Sequence, residues 1–193
     1  MKIKLPGIFA ALLSLSSLPA YAHTGIGAVH SLLDGVLHPV IGIDHLLVML
    51  AVGLWAAMRG GRALWLLPTA FLTAMGAGAA LSLLGFTLTA AESWVALSVL
   101  VAGMLVWRNT RMSSALAVAL VAVFALVHGY VHAAELTEGA DALAYSAGFL
   151  LTTALLHGLG VAVGLLAATR LKMVGAGLGL VCAVVGVGLL AGV

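Results

Sequence analysis

Residues His30–Met58 read HSLLDGVLHPVIGIDHLLVMLAVGLWAAM, an apolar run that nevertheless carries three histidines and two aspartates. Crossing the hydrocarbon of a bilayer takes about 20 helical residues. Ser31–Met58 has that length, and so, nearly, do five segments after it: Ala63–Leu84, Ala91–Trp107, Ser113–Ala134, Ala142–Thr169 and Met173–Gly192. None alternates residue by residue as a barrel strand would, so helices are expected. Composition agrees. The 193 residues are 64% hydrophobic and 7% charged, with a mean hydropathy of +1.25. A soluble domain keeps about a quarter of its residues charged. Without that shell the solvent is lipid, and only structures that satisfy their own backbone can cross it. The predicted fold is an all-α membrane protein, a bundle of six transmembrane helices. The 24 glycines suit helices that approach closely in lipid.

The start of the chain reads as a secretory signal. Lys2 and Lys4 are basic, Leu5 to Leu18 is a short apolar core, and Pro19-Ala20-Tyr21-Ala22 ends it with small residues. Cleavage is expected after Ala22, leaving residues 23–193 as a single transmembrane domain. The competing reading is an uncleaved first helix. Cleavage would make His23 the mature N-terminus, with an α-amine and an imidazole on one residue.

The remaining basic residues fall in alternate loops: Arg59 and Arg62, Arg108 and Arg111, Arg170 and Lys172. The positive-inside rule assigns those loops to the cytoplasm. The opposite loops carry Glu92 and then Glu135, Glu138 and Asp141. Both mature termini are then periplasmic, in an inner membrane. The net charge of +2 gives no reason to expect nucleic acid. Cys182, the only cysteine, excludes a disulfide framework and reads as a small buried hydrophobe. Met49, Met75 and Met104 read as packing, and Trp55, Trp65, Trp94 and Trp107 as interfacial anchors near span ends.

Ionisable groups inside apolar spans are costly and usually line a pathway. In the first span His30, Asp34 and His38 are four apart and His45 follows His38 by seven, which on one helix is a shared face. Asp44 is turned about 100° from His45. Pro39 lacks an N–H and Gly42 adds freedom, so a bend is expected there. In the fourth span His128, His132 and Glu135 share a face, and the fifth holds His157. Depth at about 1.5 Å per residue gives two layers. The outer one holds Asp34, His38, His132 and Glu135; the deeper one holds Asp44, His45, His128 and His157. Imidazole and carboxylate together suit a divalent transition metal. Residues seven apart cannot share one ion without a bend, so separate spans must converge on it. Asp34 and Asp44 are candidates for orienting a ligating ring.

HPVIGIDHLLVMLAVGLWA resembles the signature of the HupE/UreJ family of nickel/cobalt permeases, near HPxxGxDHxLxMxAVGLWA. GGRALWLLP after it and the expected mature start HTG are also similar to that family. VHGYVHAAE resembles its second motif, FHGxAHGxE, and departs from it at Val127, Val131 and Ala133. The first motif is also similar to the H-x4-D-H signature of another nickel/cobalt transporter family, here with one more residue between His and Asp. The resemblance implies metal-handling roles for His38, Asp44, His45, His128, His132 and Glu135. It implies a secondary permease, not an enzyme, that moves nickel or cobalt into the cytoplasm without a permanent cofactor and supplies a hydrogenase or urease. No Walker A sequence is present. Two other readings compete: a membrane metal sensor or accessory subunit that binds without transporting, and a b-type haem protein using transmembrane histidines. The sequence leaves the oligomeric state open, a homo-oligomer included, as well as the part played by His23 and His30.

Overall fold

A computed structural model describes residues 32–136 and 139–192. Every regular element among them is a helix: α1 (Leu32–Ile41), α2 (Ile43–Arg59), α3 (Ala63–Leu83), α4 (Ala91–Trp107), α5 (Ser114–Ala134), α6 (Ala142–Leu166) and α7 (Leu171–Ala191). The predicted cleavage after Ala22, and His23, His30 and Glu138, lie outside the described residues.

Helices α3, α5, α6 and α7 are each long and apolar enough to cross a membrane, with mean hydropathies of 1.6 to 2.3. Together α1 and α2 pass the same test as one broken span, bent by 78°. The chain is thus an all-helical, multi-pass membrane protein. Helix α4 is shorter, at 17 residues, or about 25 Å at a helical rise of about 1.5 Å per residue. The bend expected at Pro39 and Gly42 is present, as a full break between two helices. Pro39 sits inside α1, where its ring crowds the carbonyl four residues back. The helix then breaks at Gly42, whose backbone is extended (φ −71°, ψ 109°).

Helix α2 is the axis of the bundle. Only Ile43 among its residues is exposed, and it packs against α6, α4, α3 and α7. The other extensive contacts are α3 on α5, α4 on α7 and α1 on α6. Glycine makes these contacts close. A Cβ at Gly53 would run into the His157 carbonyl, one at Gly78 into the Leu126 carbonyl, and one at Gly129 into the Met75 carbonyl. With lipid on the outside, such close packing is what holds helices together. Outward-facing Leu116, Leu151, Leu155 and Leu166 are correspondingly exposed.

Side chains fix the helix ends. The Ser113 hydroxyl accepts from Leu116 N–H and the Asp141 carboxylate from Ala144 N–H (2.9 Å), capping α5 and α6. Tyr130 on α5 pins the α3–α4 loop: its hydroxyl donates to the Phe86 carbonyl and accepts from Leu88 N–H, both at 3.0 Å. At the far end of α2, Trp55 Nε1–H donates to the Thr110 carbonyl (3.1 Å) and Arg59 to the Met112 carbonyl (2.8 Å). Trp55 is therefore not the interfacial anchor expected. It is 2% exposed, because its indole bonds the loop between α4 and α5, whereas Trp65, Trp94 and Trp107 do face outward. Met49 and Met75 are core residues as expected and Cys182 is buried beside α2, but Met104, expected to pack, is exposed on the outer face of α4.

Candidate metal centre

The break in the first span decides the site. Helix α1 ends just after His38 and α2 begins just before His45. The 78° turn between them brings the two imidazoles to 5.7 Å between ring centroids. His132 arrives from the last turn of α5. Its ring lies 4.6 Å from His38 and 4.2 Å from His45, and its Nε2 is in contact with Nε2 of His45. One nitrogen from each of His38, His45 and His132 lies within 4.8 Å of the other two. His45 and His132 are fully buried and His38 partly so.

Asp44 orients this group. One carboxylate oxygen accepts from Nδ1–H of His45 at 2.5 Å and from the His45 backbone N–H at 2.8 Å. The second bond satisfies a donor that the first turn of a helix otherwise leaves unpaired. The first places the ring proton on Nδ1, so the lone pair of His45 is on Nε2, facing His132. Gly42 leaves room for the pair, since a Cβ there would stand 3.1 Å from both Asp44 Oδ1 and His45 Nδ1. Glu135, partly exposed, lies 3.4 Å from Nδ1 of His132 and forms the rim.

The expected division into two layers is corrected. It measured depth along one straight helix, and the bend removes that axis. His45 and Asp44, assigned to the deeper layer, stand beside His38 and His132. His128 is next to them, 5.1 Å from the His45 ring. Its Nδ1–H donates to the Phe124 carbonyl (2.9 Å), which leaves the lone pair on Nε2. His157 is apart from the cluster. Its Nδ1–H donates to the Thr153 carbonyl (2.7 Å), and its ring lies 4.8 Å from Phe71. Asp34, one turn before His38, is partly buried on α1 and is not among the three clustered ligands.

Three residues of the site escaped the sequence reading. Phe149 stacks on His132 at 4.2 Å, Tyr145 stands edge-on to His38 at 6.2 Å, and Phe71 lies between His128 and His157. A signal for two of them was present: Tyr145, Phe149, Thr153 and His157 recur every four residues, a single stripe of α6. Phe71 had none, being one aromatic in a uniformly apolar helix.

The HupE / UreJ protein family matches residues 10–189. Protein HupE of Rhizobium leguminosarum bv. viciae is 42% identical over 151 residues, which is 78% of each chain. No solved structure matches.

Proposed function

Because the chain belongs to the HupE/UreJ family, which is not a family of enzymes, we propose that it is a secondary permease carrying Ni2+ or Co2+ across the bacterial inner membrane into the cytoplasm. The observation that carries this reading is the convergence of His38, His45 and His132 from three helices, with one nitrogen of each within 4.8 Å of the others. A set of imidazoles backed by carboxylates is the donor chemistry that nickel, cobalt and zinc accept. Asp44 supplies the charge and the tautomer, and Glu135 offers a first, partly hydrated carboxylate at the rim. The six-span topology, the cleaved signal of residues 1–22, the single domain of residues 23–193 and the periplasmic termini belong to the same proposal. They are supported by the confinement of Arg59, Arg62, Arg108, Arg111, Arg170 and Lys172 to alternate loops.

The test is uptake of radiolabelled nickel and cobalt into proteoliposomes, wild type against His45→Ala. Uptake by the wild type and its loss in the variant is the expected result. Equal uptake by both overturns the proposal. Stoichiometric binding with no flux in the wild type replaces it with the sensor or accessory reading.

A further inference from the structure

Two imidazoles are buried more completely than packing requires. His128 and His157 are 0% and 1% exposed. Each donates its Nδ1–H to the carbonyl four residues back on its own helix, so each holds its lone pair on Nε2. Neither Nε2 has a hydrogen-bond partner. A histidine kept only to tie helices together would spend that nitrogen on a neighbouring helix, and an unmet buried acceptor costs stability. Thr153, one turn before His157, is 0% exposed and its hydroxyl is likewise unpartnered.

Their placement forms a sequence. His128 stands beside His45 of the triad. Phe71 follows, its ring 5.8 Å from His128 and 4.8 Å from His157. The His157 carbonyl abuts Gly53, eight residues beyond His45 on α2 and so about 12 Å further along its axis. Further along α2 toward Arg59 the buried side chains are all apolar or aromatic, Leu54, Trp55 and Met58 among them. Among the described residues His157 is the deepest imidazole.

Resting on the transport reading above, we propose that His157, through its unpartnered Nε2, is an inner station for the divalent cation. The ion is passed from the triad by way of His128 when the Phe71 ring moves aside. A single imidazole holds an ion weakly, which suits release, and a chain of modest sites conducts where one closed cage would retain. Phe71 separates the two stations, so an ion at the triad does not see His157 until that ring is displaced.

The experiment replaces the ligand atom and reads ion selectivity. His157→Asn keeps an amide N–H for the Thr153 carbonyl and removes the imidazole acceptor. His157→Cys substitutes a soft sulfur ligand, which favours zinc over nickel. Equilibrium dialysis with radiolabelled nickel reads the triad, and a value within about twofold of wild type also shows that the variant is folded. Uptake of radiolabelled nickel and zinc into proteoliposomes reads the path. We expect His157→Asn to lose tenfold or more of its nickel uptake with binding unchanged. His157→Cys should raise the zinc-to-nickel flux ratio at least threefold. Losses of both ions in the same proportion, or flux equal to wild type, overturn the inner station and leave the transport reading standing, provided His45→Ala still abolishes uptake. Absence of wild-type flux overturns both. Should both His157 variants fail to fold, Phe71→Leu carries the test: it removes the ring between His128 and His157, nickel flux should change at least threefold at unchanged binding, and unchanged flux overturns the station.

Discussion

Asp44→Asn isolates the role of one charge at the centre. The substitution is nearly isosteric, and the amide oxygen can still accept from the His45 backbone N–H, now 2.8 Å away, so the first turn of α2 keeps its bond. What disappears is the negative charge behind the His45 ring. The Asp44–His45 bond is 2.5 Å. Adding about 2 Å across the ring and about 2 Å to a ligated ion puts the carboxylate roughly 6.5 Å from a cation on Nε2. At an effective dielectric near 20, a single negative charge and a doubly positive ion at that distance attract by about 5 kcal/mol. That is a ceiling, because the retained hydrogen bond still fixes the ring. Loss of an orienting partner ordinarily weakens metal binding by about 10- to 100-fold, or about 1.4 to 2.7 kcal/mol. The expected result is a nickel dissociation constant raised by that factor, measured by equilibrium dialysis of the purified protein, with the apparent melting temperature within about 2 °C of wild type. A dissociation constant unchanged from wild type would refute the argument that Asp44 acts on the ion through His45. Asp44→Ala is the contrasting variant. It also removes the acceptor for the helix end, so it should lose about 1 kcal/mol of stability in addition to affinity.

Three further outcomes test the packing that carries the site. Tyr130→Phe removes the hydroxyl that holds Phe86 and Leu88; a loss of about 1 to 2 kcal/mol should appear as a lower melting temperature in detergent, with nickel binding retained. Gly78→Ala drives a Cβ into the Leu126 carbonyl, so α3 and α5 must separate, at about 1 to 3 kcal/mol, read by the same thermal assay. Gly158→Ala meets nothing within 4 Å and should stabilise α6 by up to about 1 kcal/mol; a destabilisation equal to that of Gly78→Ala would mean that glycine content, and not contact, governs these helices.

Much of this architecture was legible because a bilayer permits few solutions. The apolar segments after the first correspond to α3 through α7 within a few residues, and the ligand-type residues stood out as charges and imidazoles where lipid would exclude them. The three-dimensional set was harder to read. Periodicity assigns residues to a face only along one axis, and Pro39 and Gly42 announce a bend without giving its angle. A bend of 78° turns a separation of seven residues into ring contact, and this is why His45 left the deeper layer. Trp55 was misread for a related reason: sequence position shows that a tryptophan is near a span end, but not that the carbonyl of Thr110 lies within reach of its N–H. Phe71 could not be singled out, because its importance comes from two histidines on other helices.

The broken span also accounts for the direction in which the centre faces. Helix α1 lies across α6, with Gly35 against the Tyr145 carbonyl and Thr152 donating to the Val36 carbonyl at 2.9 Å. Its other face, including Leu33, Val40 and Ile41, is exposed and apolar, as suits a short helix bordering lipid. His38 is thereby held at the edge of the cluster, partly accessible, with Glu135 nearby and also partly exposed. On the opposite side Phe71, Trp55, Leu67 and Val106 are each 2% exposed or less, and Phe71, Trp55 and Val106 line an apolar cavity with Val48, Val52 and Phe124. Trp55 is in turn bonded to the loop after α4. The rim is therefore the polar, partly exposed side of the triad, and the inner side is apolar. That rim is the side the basic loops do not occupy, as the proposed uptake requires. On that proposal an ion leaving the triad inward next meets the Phe71 ring, so the apolar inner half of the bundle, and not the histidine cluster, is where its passage would be slowest.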